Sequence, residues 1–149
     1  MRAIDATRKQ PVTVAADATL AEVARIMDKA AIGALPILDG DRLVGMVTDR
    51  DLVVRGLARG LPGDSRIDAV MTTDPLTIAA DADMRDAFRL LSEHPVRRLP
   101  VVGDDGTVLG MLSVDDLVVD LAADLADLVR PVTGQVLFGH PEPALPAVR

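Results

Sequence analysis

From residue 11 the apolar positions first alternate in a short β-branched stretch, Val12-Thr13-Val14, which predicts a strand. They then change period. Leu20, Val23, Ala24 and Met27 fall at i, i+3, i+4 and i+7, the spacing of a one-sided helix, with Thr19 and Glu22 as its capping box. Two further strands, Leu35–Leu38 and Leu43–Thr48, flank Asp39-Gly40-Asp41, a turn sequence that predicts a hairpin. A second helix begins near Asp49. The same order recurs from Leu76-Thr77-Ile78 onward. Met84, Ala87, Phe88 and Leu91 mark its helix with Asp83 as N-cap, Leu99–Val102 and Val108–Ser113 its strands, and a second helix starts near Val114.

Aligned at a shift of 64, residues 11–38 and 75–102 share nine identities in 28 positions. One extra residue in the turn Gly103–Gly106 moves the shift to 65, and residues 45–54 then share six identities in ten with 110–119. The chain is therefore a tandem repeat of strand–helix–strand–strand–helix units, an α/β (α+β) arrangement. The first repeat is assigned to residues 3–60, a linker to 61–66, the second repeat to 67–129 and a C-terminal tail to 130–149. Each unit has about 50 residues, too few for much core of its own, so the two are expected to pack as one pseudo-two-fold module. Gly and Pro within residues 58–65 suit a connection. Beyond Val129 the pattern fades into a Pro- and Gly-containing segment, read as a loosely held tail in which Val136, Leu137 and Phe138 could dock.

Composition narrows the function classes. With 149 residues the chain can bury roughly 68–70% of its unfolded surface without staples. It has no cysteine, which removes disulfides, thiolate nucleophiles and Cys-ligated zinc. Acidic residues outnumber basic ones, 23 to 16, and aromatics amount to 1%. Neither property suits a nucleic-acid partner, which needs cationic surface and stacking platforms. No apolar run is long enough to span a membrane and the N-terminus lacks a signal-type apolar segment, so the expected location is cytoplasmic.

Two segments carry the candidate chemistry: Gly45-Met46-Val47-Thr48-Asp49-Arg50-Asp51 and Gly110-Met111-Leu112-Ser113-Val114-Asp115-Asp116. With the repeat and the Leu-Pro pairs Leu35-Pro36 and Leu99-Pro100, they make the chain resemble a CBS-domain pair (a Bateman module), and small stand-alone bacterial CBS-pair proteins in particular. The resemblance covers residues 3–129. It implies tandem CBS repeats binding an adenine nucleotide or adenosyl ligand in the cleft between them. Thr48 and Ser113 would support the sugar or phosphate, and Asp51 and Asp116 would take the ribose diol, since a carboxylate is an acceptor-only group. Arg97 and Arg98, just before the second Leu-Pro, would contact phosphates with their planar donor forks. Gly33 and Ala34 occupy those positions in the first repeat, so the two clefts are chemically unequal. The backbone around Thr13-Val14 and Thr77-Ile78 would read the adenine edge. With no Tyr or Trp to stack on, the base would lie between aliphatic side chains such as Val14, Ile32, Ile78 and Val96.

Each assignment has a structural alternative. Thr48, Asp49 and Asp51 could simply cap and charge the start of the second helix, as could Ser113, Asp115 and Asp116. Arg97 and Arg98 could be solvated charges paired with acidic neighbours. Asp116, Asp120, Asp124 and Asp127 follow helical spacing and read as a solvated face rather than a divalent-ion site. His94 and His140 form no metal constellation, and no nucleophile elbow, P-loop, dinucleotide fingerprint or zinc-protease motif occurs.

The expectation is a non-enzymatic sensor with no cofactor. AMP, ADP, ATP, NAD and S-adenosylmethionine are the candidate ligands, a homodimer the expected assembly, and an unknown effector protein the receiver of the signal. The faces around Ala24–Met27 and Leu117–Leu128 are the expected dimer surfaces. The alternative is a ligand-independent dimerisation and protein-interaction module.

Overall fold

The computed structural model describes residues 1–7 and 10–138. Residues Met1–Val114 form one compact unit, and a second begins at Asp115. The first unit contains two sheets. In the first, β1 (Val14–Ala15), β2 (Ala34–Asp39), β3 (Arg42–Thr48) and β4 (Thr72–Thr73) lie side by side in that order. In the second, the order is β5 (Ile78–Ala79), β6 (Arg98–Val102) and β7 (Val108–Ser113). Each first strand runs parallel to its neighbour and each hairpin is antiparallel. Helices α1 (Leu20–Ala30) and α3 (Met84–Glu93) provide the crossovers that parallel pairing requires. Even the register breaks correspond, between Ile37 and Leu38 and between Val101 and Val102.

The helices form where the pattern predicts. Thr19 Oγ1 accepts from the Glu22 N–H while a Glu22 carboxylate oxygen accepts from the Thr19 N–H, a reciprocal cap on α1. Asp83 caps α3 by accepting from the Arg85 N–H. Leu20, Val23 and Met27 are buried, so of the Ala24–Met27 dimer surface expected above Ala24 and Arg25 are exposed, Ile26 is half-buried and Met27 faces the core. Phe88, expected on the inner face of α3, is instead 51% exposed. The helix after β3 starts as α2 (Asp49–Asp51), widens into a π-helical turn over Leu52–Gly56 and tightens over Leu57–Arg59. In the second unit α4 (Val114–Phe138) crosses Pro131 and Gly134, residues read as signs of a tail. Proline removes one i→i−4 bond, and the remaining backbone bonds carry the helix past it. The side chains of Val136, Leu137 and Phe138, and the segment with His140, lie outside the described residues.

The two lead-in segments are exchanged between repeats, which periodicity does not predict. Ile67 and Val70, next to a short 3-10 turn (Ile67–Ala69), are fully buried in the first core with Val14, Leu35, Ile37 and Val47. At the equivalent positions Ala3 and Ala6, in the 3-10 turn Ala3–Ala6, are buried near the chain start. The Ala3 and Ile4 N–H groups donate to the carbonyls of Ala82 and Ala80, so residues 1–7 belong to the second half. The isolated bridges Arg2–Asp83 and Thr19–Arg66 repeat this crossing in both halves. The motif glycines make it possible. A Cβ on Gly45 would come within 2.9 Å of the Thr72 carbonyl oxygen, and one on Gly110 within 2.8 Å of Thr7 Cβ.

Candidate functional site

At the start of β2 and β6, a cavity of about 410 Å3 opens in the first unit. The first repeat supplies Gly33, Ala34, Met46, Thr48, Asp49, Arg50 and Asp51; Thr72, Pro75, Leu76, Pro95, Val96, Arg97 and Arg98 supply the rest. Thr48 ends β3 and begins α2. Its Oγ1 accepts from the Asp51 N–H at 3.1 Å, and its own N–H donates to Asp51 Oδ2 at 2.9 Å. Asp51 Oδ1 lies 3.7 Å from Arg55 Nε, and the carboxylate side chain is only 17% exposed. The capping role of this pair is therefore real. It does not exhaust a carboxylate, which has about four acceptor positions.

Strand geometry brings Arg98 to the opposite wall, since it is the first residue of β6. The route there differs between repeats. Helix α1 ends at Ala31 with φ +53°, a left-handed conformation. The equivalent residue after α3 is Pro95, whose ring holds φ near about −65° and excludes that exit. Helix α3 stops at His94, whose N–H and Nδ1 both reach the Leu90 carbonyl. The chain then presents Pro95-Val96-Arg97 along the cavity. The Asp49 N–H donates to the Gly33 carbonyl, and the Val114 N–H donates to the Arg97 carbonyl in the same way. A Cβ on Gly33 would sit 3.1 Å from Asp49 Oδ2, so a larger residue there would displace the Asp49 carboxylate by a few tenths of an ångström.

Thr48, Asp51, Val96, Arg97 and Arg98 thus share one cavity, two from the first repeat and three from the second. Thr13, Val14, Ile32, Thr77 and Ile78 do not line it. Val14 and Ile78 face the cores, at 8% and 3% exposure, and Ile32 packs against the first core. The wall is made instead by Pro75 and Leu76, just before β5, and by Met46. Ser113 is buried at the end of β7, outside this cavity, and Asp116 stands in the first turn of α4, in the second unit. Sequence reasoning passed over Leu76, Met46, Arg50 and Thr72. Only Arg50 carried a usable signal, as a cation inside the Thr-x-x-Asp segment.

The lining charges are three arginines and two aspartates, and the electrostatic balance of the cavity favours an anionic or electron-rich ligand group near the arginines. Among the described residues no cluster of His, Cys, Asp or Glu is arranged to hold a metal ion.

The CBS domain profile matches residues 2–56 and 67–123. The chain belongs to the CBS-domain family. A CBS domain-containing protein of Bacillus subtilis, YhcV, is 34% identical over 116 residues, covering 78% of this chain and 82% of its own. The CBS domain pair of protein MJ0100, solved with 5′-methylthioadenosine and S-adenosyl-L-methionine, is similar with a TM-score of 0.74 and 26% identity. It covers 83% of this chain and 98% of the other. CBSX2, solved with AMP, is similar with a TM-score of 0.71 and 27% identity, over 84% and 98% of the two chains. The tandem CBS repeat expected from the sequence is thus shown, as is its mixed α/β fold.

Proposed function

We propose that this CBS pair is a regulatory module without catalysis of its own, and that it binds an adenosyl ligand in the cavity between Thr48–Asp51 and Val96–Arg98. The single observation that carries the reading is the meeting of a Thr-x-x-Asp helix start from one repeat with the Arg97-Arg98 pair of the other. In this pose the base rests between Leu76, Val96 and Met46, aliphatic surfaces that bury it without stacking. The ribose hydroxyls donate to the unused acceptor positions of Asp51. A phosphate, or the carboxylate of an adenosyl amino acid, faces Arg98 and Arg97, where fork-shaped donors match its oxygens. The two adenosyl complexes among similar structures support the choice of ligand class.

Signalling follows from linkage: a ligand bridging two repeats shifts any equilibrium between arrangements of different affinity. An effector protein reads that shift, and the module acts as a homodimer in the cytoplasm. No described helix is long and apolar enough to cross a membrane.

Titration calorimetry with AMP, ADP, ATP, NAD, S-adenosylmethionine and 5′-methylthioadenosine tests the ligand. Arg98→Ala is expected to weaken AMP about tenfold or more, while uncharged 5′-methylthioadenosine changes little. No binding by any of the six would overturn the reading. One observation favours a second reading, a ligand-independent interaction module: Asp51 already bonds the Thr48 N–H and faces Arg55. A partner captured equally well with and without nucleotide would support it.

A further inference from the structure

The other end of the β2–β3 hairpin carries a second cavity, of about 530 Å3, opposite in charge to the first. Its floor is apolar, with Leu38, Val44 and Met71 half-buried. Its rim holds Asp17, Asp39, Asp68 and Arg66. Arg66 bonds Asp68 through Nη2 at 2.8 Å and Nε at 3.1 Å, so that pair is neutral together. Asp17 and Asp39, both exposed, leave the rim acidic. The second repeat keeps part of the floor and loses most of the charge. Leu38 and Val44 correspond to Val102 and Leu109, whereas Met71, Asp39 and Asp68 correspond to Thr7, Gly103 and Ile4. The same sheet end is thus built once without these three residues, so the fold does not demand them.

The second cavity also shares its walls with the proposed ligand cavity. Met71 lines the second, and the next residue, Thr72, lines the first. Arg55 spans the two. Its Nε lies 3.7 Å from Asp51 Oδ1, while its Nη1 donates to the carbonyls of Val70 and Met71 at 3.3 and 3.4 Å. A ribose bound at Asp51 competes with Arg55 for that carboxylate, and a displaced Arg55 loosens its hold on the Met71 backbone.

The geometry points to the second cavity as the docking groove for a basic segment of an effector protein. An arginine or lysine lays its aliphatic stem on Leu38, Val44 and Met71 and brings its charged head to the Asp17 and Asp39 carboxylates. This rests on the reading that the module signals to an effector, and adds the surface and the chemistry of the partner. The unbranched Met71 adapts to the stem it receives. Because linkage is reciprocal, an occupant of either cavity changes affinity at the other by the same factor.

Short fluorescein-labelled peptides with paired arginines or lysines around a leucine, read by fluorescence anisotropy against the full chain, test the groove. The double variant Asp17→Asn/Asp39→Asn is expected to weaken the tightest peptide about tenfold. Asp41→Asn removes an exposed acid of the same turn that does not line the cavity, and is expected to change the affinity less than about twofold. Saturating the first cavity with the tightest ligand of the calorimetric panel should change the peptide affinity about threefold or more. Equal losses from Asp41→Asn and the double variant would reduce the effect to general charge attraction and overturn the groove. Absence of binding by every peptide would overturn it too, as would free spermidine binding as tightly as the peptides. A peptide affinity unaltered by bound ligand would overturn the link between the cavities. Calorimetry on the double variant, which changes no residue of the first cavity, is expected to match the parent, so failure of docking is separable from failure of the ligand reading.

Discussion

At the residue scale, the Gly-Met-h-Thr/Ser-x-x-Asp segment serves packing, capping and the cavity together. Gly45 and Gly110 lack a side chain because an exchanged lead-in crosses each of them. Gly110→Ala places a methyl against Thr7 Cβ, and Gly45→Ala places one against the Thr72 carbonyl. Each is expected to cost about 1–3 kcal/mol in denaturant unfolding, an overpacking penalty against backbone at Gly45 and against the Thr7 side chain at Gly110. Ala31 is the opposite case. Its left-handed φ of +53° strains an L-residue, and Ala31 is exposed. Ala31→Gly should raise stability by about 0.5–1 kcal/mol, read as an upward shift in Tm. Thr48→Ala should lower stability by about 1 kcal/mol through loss of the cap, whether or not a ligand is present. Thr48→Ser keeps the acceptor and should be nearly neutral. The motif residues were legible in the sequence because a cap is a local signature. Their meeting with Arg98 was not, since positions 50 apart share no period.

At the element scale, each lead-in carries an exposed arginine–aspartate pair. Arg2 bonds Asp5 at 2.9 Å and Arg66 bonds Asp68 at 2.8 Å. Hydrogen bonding from its arginine holds each of these carboxyls below the ordinary carboxylate range. A folded pKa below the unfolded one contributes stability that is present above the unfolded value and disappears as pH falls through the folded one. The exchanged segments should therefore loosen at acid pH, below about 4, before neutral-pH stability changes at all. Asp68→Asn should flatten this acid limb. Hydrogen exchange of residues 66–73 as a function of pH measures it, and an unchanged limb would remove the pair from the account. Salt should weaken the same pairs, because both are exposed and screened. The strands and helices themselves were readable from periodicity. β4 was not: Thr72 and Thr73 carry no apolar alternation, and they become a strand only because β3 offers them an open edge.

At the scale of the whole molecule, the repeat boundary in sequence and the packing boundary in space differ. Ile67 and Val70 complete the first core although they lie in the second copy, and residues 1–7 serve the second half from the far end of the chain. A fragment of residues 10–73 keeps the first sheet and its core together, whereas residues 3–60 lose β4, Ile67 and Val70. The former should show cooperative unfolding by circular dichroism and the latter should not. Equal behaviour of the two would mean the exchange contributes little. The second core holds Ala3, Ala6 and Ala87 where the first holds Ile67, Val70 and Val23, so it buries less apolar volume. It is expected to open first in hydrogen exchange.

The sequence alone determined the tandem repeat, the order of strands and helices, the caps and the family, because each is written in local spacing or in direct self-similarity. It also contained the residues of the cavity as separate candidates. Only tertiary structure decided which of them meet. Val14 and Ile78 turn into the cores because a two-residue strand beside a buried neighbour exposes one face only, leaving the aliphatic wall to Leu76 and Val96. Thr48 and Asp51 come to Arg98 because the starts of the two inner strands open onto one cavity. A chain's period records which face of an element is apolar, whereas the partner of that face depends on contacts between residues far apart, and no local pattern encodes them.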